Sequence, residues 1–395
     1  MQKKWIVCVV LVVLGLGALP LRRPPKWVRF NDIQSRDAMH KCENCRNIVF
    51  LWEDHFRGLL EGHKKAFGQE SARKYPLGEK VMMDSLLRAL DHLGYTHLLI
   101  SDTKMFIKYY NRLSGSLAKV FTSNSVMNEA TREGLFDSVP RCLFLMLDFW
   151  GTMPGVKDDV MVPRFDTSQY LIPYPDNYVN TFMGFTQDAC TQETARTENS
   201  CLIWGKQKRY WVNQPTWDWS AYSSLKTAFP NMTLHATCAD EPSGVELPHD
   251  VSNLRPLSRK EFGNKLHMQM FLWGIGQPQD GPSAMEAIAC GVPYINTVYE
   301  TCNVHERRMS IVEGSDTPEN KSRMLFDRKS QHKYMETFDE PYVYHVRKNN
   351  VSQLIEVVER IIAGDRPRPF VPHDYTWSAY VDRVSNIVSR DWCNS

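Results

Sequence analysis

The sequence predicts an α/β protein with two parallel-sheet domains that face each other across a cleft. In both halves of the 395-residue chain, short apolar runs alternate with segments of helical period. A chain of this length commonly forms two domains. We expect an N-terminal domain over residues 47–196, a C-terminal domain over 197–375 and a final helix over 376–395.

The composition is that of a globular protein and excludes several other classes. Hydrophobic residues make up 43% of the chain and charged residues 23%, which argues against a disordered or fibrous protein. The formal net charge is +2, and the basic residues are scattered, so no nucleic-acid partner is expected. Ten cysteines are too few for a disulfide scaffold in a chain this long.

Three apolar runs in the first half predict buried strands: Asn47–Trp52, His97–Ser101 and Cys142–Leu147. Between the first two runs, residues 79–93 place four leucines on one helical face, and Gly94 predicts the end of that helix. A strand, a helix and a second strand therefore open the first domain.

The second half repeats this alternation. The predicted strands are CLIWG from Cys201, TLHAT from Thr233, Met268–Trp273 and PYINT from Pro293. The predicted helices are Thr216–Phe229, a short helix after the Ser258 and Glu261 capping box, Pro282–Cys290, Ser352–Ala363 and Trp377–Arg390.

The N-terminal residues have the pattern of a membrane segment. Residues 5–21 carry no charge and, at about 1.5 Å per residue, would span about 25 Å as a helix. We interpret residues 1–21 as a cytoplasmic tip and signal anchor, followed by a stem over 22–46. A cleaved signal peptide is the alternative, because Gly15 and Gly17 suit a cleavage site. The basic residues after the segment outnumber those before it, which opposes an N-inside anchor.

Acceptor sequons and cysteines bear on the compartment. Asn231, Asn320 and Asn350 begin glycosylation sequons, which are usable only if the body of the chain is lumenal. Nine cysteines follow the apolar segment, so at least one thiol is free or pairs between chains. The pair Cys42 and Cys45 favours a local disulfide over a zinc site, because no second pair stands at ligand spacing.

The most informative stretch is WGIGQPQDGPSAMEAIACGVPYINT, residues 273–297. A strand runs into Gly274 and Gly276, and a Gly281-Pro282 step then enters a helix whose first-turn amides suit a phosphate. Ser283 adds a hydroxyl there, and Glu286 lies one turn further along. A carboxylate at that position can accept hydrogen bonds from two ribose hydroxyls. The segment therefore indicates a nucleotide site, with an ordinary amphipathic helix after a glycine turn as the alternative.

This segment resembles the donor-binding signature of GT-B glycosyltransferases, which have two Rossmann-like domains. More narrowly, the chain resembles glycosyltransferase family 18, the alpha-1,6-mannosylglycoprotein 6-beta-N-acetylglucosaminyltransferases. The resemblance extends over most of the chain and rests on short blocks in one order. These blocks are YPLGEK (75–80), DFWGT (148–152), PDN (175–177), GF (184–185), WGK (204–206), HAT (235–237), GPSAMEAIACG (281–291) and SQHKY (330–334).

The resemblance implies transfer of N-acetylglucosamine from UDP-GlcNAc to the 6-hydroxyl of the α1,6-linked mannose of N-glycans, with inversion. It also implies a single-pass type II protein of the Golgi membrane with a lumenal body; a secreted form is the alternative. Inversion needs a base for the acceptor hydroxyl, and Glu79 matches the carboxylate of the PLGE motif. Without the resemblance, Glu79 would be a first-turn glutamate that complements a helix dipole.

Other site residues are carried over one by one. Trp150 stands where the family has an aromatic residue that packs on sugar, and Asp280 matches a carboxylate before the Gly-Pro step. Lys321 falls near a lysine that contacts the diphosphate, and Lys206, with Lys208, offers an alternative cation. Core packing and solvated surface lysines are the competing interpretations.

The sequence contains no Asp-X-Asp motif, and the adjacent pair Asp158-Asp159 does not direct two carboxylates to one ion. We therefore expect metal-independent transfer without a cofactor, with the diphosphate charge met by backbone amides and basic side chains. Two rival functions remain open: another UDP-sugar transfer on the same fold, including transfer to O-mannosyl glycans, and an inactive glycan-binding relative.

Overall fold

The computed structural model describes residues 47–53, 56, 77–149, 151, 165–175, 180–190, 199–212, 217–238, 245–299 and 329–394. The predicted anchor and stem, the Cys42 and Cys45 pair, Trp150, Asn320 and Lys321 lie outside the described residues. Within the described ranges, none of the helices has both the length and the apolar character needed to span a bilayer.

The first sheet has six parallel strands in the order β2-β1-β3-β4-β5-β6. Its strands are β1 (Ile48–Trp52), β2 (Thr96–Leu99), β3 (Leu117–Thr122), β4 (Phe144–Leu147), β5 (Tyr170–Ile172) and β6 (Thr181–Phe182). The helices described alongside it are α1 (Leu77–His92), α2 (Thr103–Leu113) and α3 (Asn124–Arg132). We call this part of the chain the N-lobe.

The second sheet also has six parallel strands, in the order β12-β11-β10-β7-β8-β9. Its strands are β7 (Ser200–Trp204), β8 (Thr233–Ala236), β9 (Val251–Asn253), β10 (Leu272–Gly274), β11 (Tyr294–Val298) and β12 (Val343–Arg347). The remaining helices are α4 (Ser220–Ala228), α5 (Arg259–Met268), α6 (Ser283–Ala289), α7 (Val351–Ala363) and α8 (Trp377–Ser389). We call the part from β7 to α7 the C-lobe.

Two parallel sheets with interspersed helices confirm the predicted fold class. Strands of such sheets are covered on both faces, which explains why β1 and β7 read as continuous apolar runs and are buried along their whole length. Helix α1 ends before Gly94, whose φ of +77° is the left-handed conformation that glycine adopts readily. In open α/β sheets, ligands bind beyond the carboxyl ends of the strands.

One predicted element is wrong in part. Residues 268–273 were expected to form a strand, but α5 continues to Met268 and β10 begins only at Leu272. The capping box holds as predicted, because Ser258 Oγ accepts from the Glu261 N–H and Glu261 caps the Ser258 N–H. The helix that it starts buries Leu266, so its apolar end merges in sequence with the apolar start of β10.

The last helix, α8, packs on the N-lobe although it follows the C-lobe in sequence. Its residues Tyr380, Val384 and Ile387 share one core with Leu86 and Leu90 of α1. A disulfide between Cys142 and Cys393 joins the chain after α8 to the segment before β4. The N-lobe core is therefore assembled from both ends of the described chain.

A second disulfide, Cys190–Cys290, joins the segment after β6 to the end of α6. Gln187 N donates to Tyr375 O and Cys190 N to Ala289 O, so this segment runs along the C-lobe. Cys201 and Cys238 are buried and belong to neither of these disulfides, consistent with the expectation that at least one thiol is outside the disulfides of the chain or pairs between chains.

We predict that Leu86→Ala lowers the free energy of unfolding by about 2–5 kcal/mol, because it leaves a cavity where α1 packs on α8. Thermal denaturation followed by circular dichroism would measure the effect. Ile107→Ala on α2 is the control, since Ile107 is 37% exposed and its truncation leaves little cavity. Equal losses in both variants would contradict the packing described for α8.

Candidate active site

Close packing fixes the shape of the loop between β10 and α6. A methyl group on Gly274 would lie 2.6 Å from the Tyr294 hydroxyl, and one on Gly281 would lie 2.6 Å from Cζ2 of Trp204. Side chains at these positions would displace the loop from the sheet. Gly276 and Asp280 have φ angles of +106° and +48°, so the loop also turns through left-handed conformations. We call residues 274–282 the glycine loop.

A second segment, residues 330–333, holds the glycine loop in place. Gln331 Nε2 donates to Pro278 O at 2.8 Å, and Gly276 N donates to Gln331 Oε1 at 2.9 Å. The backbone N–H of Lys333 donates to Asp280 Oδ1 at 3.0 Å. These residues belong to the SQHKY block, so two blocks that are distant in sequence form one structure.

His332 completes this clamp and is fully buried. Its Nε2 donates to the carbonyl of Gly281 over 3.2 Å, and its Nδ1 lies 3.8 Å from Asp280 Oδ1. Within the glycine loop, Gly276 N and Asp280 N both donate to Gln331. These two amides therefore help to fix the shape of the loop. The first N–H groups of α6 have no acceptor within the helix, so they remain candidates for binding an anion.

The start of α6 brings Pro282, Ser283 and Glu286 together as predicted. Pro282 is buried, and Ser283 is half-buried at the first position of the helix. Glu286 is 15% exposed, and its Oε1 lies 3.6 Å from Nε of Arg259 at the start of α5. Burial raises the pKa of the Glu286 carboxyl, and the Arg259 guanidinium opposes this rise.

The two lobes meet at the start of α1. A methyl group on Gly78 would lie 2.9 Å from Cε2 of Phe149 and 3.4 Å from Cδ of Pro282. Glu79 is the next residue and is half-buried in the first turn of α1. The first turns of α1 and α6 are thus neighbours across the cleft, and the proposed base stands beside the proposed donor helix.

Lys206 also lies at this edge. It follows the carboxyl end of β7, which pairs with β10, and it is half-buried two residues beyond Trp204. The structure thus places Lys206, the glycine loop, α6 and Glu79 around one end of the cleft. Trp150 and Lys321 belong to parts of the chain that the structure does not describe, so their predicted roles stay predictions.

Two of the predicted glycosylation sites are described. Asn231 is exposed at the turn before β8. Asn350 is half-buried, and its Oδ1 accepts from the Gln353 N–H as the cap of α7. That cap uses the oxygen and not the amide nitrogen that carries a glycan. Neither site lies in the cluster around Glu79 and α6.

Sequence reasoning missed three residues that border the site: Arg259, Tyr174 and Gln331. Arg259 follows the capping-box serine, and Tyr174 directly precedes the PDN block. Gln331 belongs to a block that was noted only as a resemblance. Each contacts the site through residues far away in sequence, and no local pattern reveals such contacts.

One group of metal-type ligands occurs among the residues that the structure describes. It comprises Cys190, His267 and Cys290, whose ligand atoms lie within 4.8 Å of one another. The two sulfur atoms are joined in the disulfide, so this group stabilises the chain. Metal-independent transfer remains a prediction.

Two α/β lobes with parallel sheets, which meet at the first turns of α1 and α6, have the architecture of the GT-B class. The chain belongs to glycosyltransferase family 18, whose family model matches residues 23–395. This membership agrees with the resemblance carried by the sequence motifs.

Several curated proteins are similar to this chain. An alpha-1,6-mannosylglycoprotein 6-beta-N-acetylglucosaminyltransferase of Caenorhabditis elegans is 25% identical over 379 residues, which cover 85% of this chain and 54% of the relative. The human enzyme B of the same name is 24% identical over 372 residues, covering 86% of this chain and 45% of the relative. This chain spans about half the length of these relatives.

Solved structures show more distant similarity. A UDP complex of MnaA from S. aureus is 9% identical with a TM-score of 0.44, over 87% of this chain and 96% of that one. A UDP-GlcNAc 2-epimerase from Methanocaldococcus jannaschii is also 9% identical, with a TM-score of 0.41 over 87% and 99% of the two chains. Similarities of this size do not bear on the function of the chain.

We predict that Glu286→Gln raises the melting temperature at pH 7.5. Because burial raises the Glu286 pKa above its ordinary value of 4.5, the carboxylate ionises more readily in the unfolded chain, and its ionisation lowers stability as the pH rises. Below about pH 4.5 the group is protonated in both states, so the gain should vanish there.

Differential scanning calorimetry at pH 7.5 and pH 4 measures this difference. Glu359→Gln on the exposed side of α7 is the control and should leave the melting temperature unchanged at both pH values. A gain of equal size at both pH values would show that burial of the Glu286 charge is not its cause.

Proposed function

We propose that this protein is an inverting transferase that moves N-acetylglucosamine from UDP-GlcNAc to the 6-hydroxyl of the α1,6-linked mannose of N-glycans. Membership of family 18 and the names of the curated relatives support the reaction. The observation that carries the proposal is the contact of Gly78 with Pro282, because it sets a carboxylate of one lobe beside the donor helix of the other.

The donor has distinct partners in the C-lobe. Glu286 is the acceptor for the ribose hydroxyls, because an ionised carboxylate accepts two hydrogen bonds and Arg259 favours ionisation. The first turn of α6 with the Ser283 hydroxyl faces the diphosphate, and Lys206 supplies a positive charge at the same edge. Asp280, which Lys333 and His332 hold in place, lies before this turn and is the candidate contact for the sugar.

The reaction is one displacement at the anomeric carbon. The acceptor oxygen attacks from the side opposite the diphosphate, so the bond to the diphosphate breaks as the new glycosidic bond forms and the configuration inverts. Glu79 removes the proton of the acceptor hydroxyl during the attack and later releases it to solvent. UDP leaves with the electron pair of the broken bond, stabilised by backbone donors and basic side chains.

The remaining features of the proposal concern the surroundings of the enzyme. We propose an N-glycan on a glycoprotein as the acceptor and transfer without a metal ion. We also propose a Golgi membrane protein with a lumenal body, as the apolar segment 5–21 and the sequons suggest. Trp150 would pack on an acceptor sugar, and Lys321 would contribute to diphosphate binding.

We predict that Glu79→Gln lowers kcat by about 100- to 10,000-fold and leaves the affinity for UDP unchanged, because the amide cannot take a proton. A coupled assay of UDP release with a biantennary N-glycan would measure turnover, and isothermal titration calorimetry would measure UDP binding. Both should be done on the full chain in detergent.

Asp84→Asn is the matched control for this experiment. Asp84 is a half-buried carboxylate on the same helix, α1, but lies beyond its first turn. Its replacement should leave turnover nearly unchanged. Wild-type turnover in Glu79→Gln would exclude Glu79 as the base, and loss of UDP binding would indicate a structural role instead.

A panel of UDP sugars and defined glycans tests the choice of substrates, with products identified by mass and linkage. We expect transfer only from UDP-GlcNAc, and a new β1,6 branch on the α1,6-linked mannose. Activity that is unchanged by EDTA is expected for transfer without a metal. Products on O-mannosyl glycans, or no product with any sugar, would favour the rival functions.

A further inference from the structure

The buried hydroxyl of Tyr174 has no hydrogen-bond partner among the residues that the structure describes. Tyr174 follows β5 in the N-lobe and is only 8% exposed. A buried polar group without a partner costs about 1–3 kcal/mol, so native proteins rarely retain one. Such a group is therefore a candidate for contact with a ligand.

The ring of Tyr174 is fixed by residues of both lobes. Its edge meets the His332 ring with centroids 4.7 Å apart, and it stacks on Tyr334 at 5.7 Å. Phe149 and Phe185 contact it from the N-lobe side, at 6.3 and 5.7 Å. Tyr174 also belongs to the core cluster that contains Ala284 and Met285 of α6. The hydroxyl therefore has a set position in the closed packing between the lobes.

The charges of two carboxylates affect the pKa of this hydroxyl. Burial raises the pKa of Tyr174 far above its ordinary range, and the charges of Asp280 and Glu286 raise it further. The group is thus a neutral donor at physiological pH. It lies within electrostatic reach of both ends of the segment from Asp280 to Glu286, which the proposed function assigns to the donor nucleotide.

The charge on each part of a nucleotide sugar indicates which part the Tyr174 hydroxyl would contact. Carboxylates accept hydrogen bonds from the hydroxyl groups of ribose and sugar, but they repel a diphosphate. A diphosphate near Asp280 and Glu286 therefore requires hydrogen-bond donors to stabilise it. A protonated phenol supplies a donor without a positive charge, and hydrogen bonds to charged oxygens are the stronger class. Tyr174, which belongs to the N-lobe, supplies such a donor near the segment from Asp280 to Glu286 of the C-lobe.

We propose that the Tyr174 hydroxyl donates a hydrogen bond to a phosphoryl oxygen of the bound nucleotide. This inference rests on the proposed function, because it requires a nucleotide diphosphate in the cleft. It makes the N-lobe a contributor to donor binding, in addition to its proposed role in proton transfer. Donor binding would then draw on residues of both lobes.

The test compares Tyr174→Phe with wild type in binding UDP and uridine, measured by isothermal titration calorimetry on the full chain. We expect a roughly 10- to 100-fold weaker affinity for UDP, as for loss of a hydrogen bond to a charged group, and an unchanged affinity for uridine, which lacks the diphosphate. The melting temperature of the unliganded variant should not fall, because its hydroxyl has no partner in the protein.

Tyr380→Phe is the matched control. Tyr380 on α8 also has a buried hydroxyl without a described partner, but it lies in the N-lobe core with Leu86. Its replacement should leave the affinities for UDP and uridine unchanged.

Each outcome decides the question. Wild-type UDP affinity in Tyr174→Phe would overturn the inference and leave the proposed function intact, and so would equal losses for UDP and uridine. A lower melting temperature with unchanged UDP affinity would show a structural role. Failure of the wild-type protein to bind UDP at all would refute the proposed function itself.

Discussion

The arrangement of the site depends on one close approach, that of Gly78 to Phe149 and Pro282. A Cβ atom at position 78 would lie 2.9 Å from the Phe149 ring, closer than real Cβ atoms approach, so glycine lets the start of α1 pack on Phe149 within the N-lobe. Pro282 of the C-lobe lies 3.4 Å from the same point, which is an ordinary van der Waals distance. Because Glu79 follows directly, this contact also sets how far the carboxylate stands from the start of α6. Packing at the start of α1 thus determines the distance between Glu79 and the start of α6.

Some features of the site lower the free energy of unfolding of the protein. Burial of Glu286 disfavours the charged form of its carboxyl, and the Tyr174 hydroxyl lacks a described partner. The glycine loop is held in shape by hydrogen bonds from residues 330–333. The buried carboxyl and the buried hydroxyl each lower the stability of the fold. Sites that are preorganised for a ligand commonly lower stability in this way, and the large buried cores of the two lobes offset the loss.

The sequence predicted the fold well where parallel strands are buried on both faces, because β1, β4, β7 and β11 then appear as apolar runs. It missed β5, β6 and β9, which have only two or three residues and are too short to show a period. It also missed β3 and β12, because Lys119 interrupts the apolar residues of β3, and His345 and Arg347 interrupt those of β12. In the site, the local pattern revealed Ser283 and Glu286 on one helix. It did not reveal Arg259, Gln331 or Tyr174, because packing brings these residues to the site from distant segments.

The return of α8 to the N-lobe has a consequence for how the protein is made. The C-lobe from β7 to α7 is one continuous stretch of chain, so all six strands of its sheet are present as soon as α7 leaves the ribosome. The N-lobe emerges first but lacks Tyr380, Val384 and Ile387 until α8 has been synthesised after the whole C-lobe, and its bond between Cys142 and Cys393 must form later still. The apolar face of α1 stays uncovered through that interval, and we expect the nascent chain to rely on chaperones until α8 packs on it.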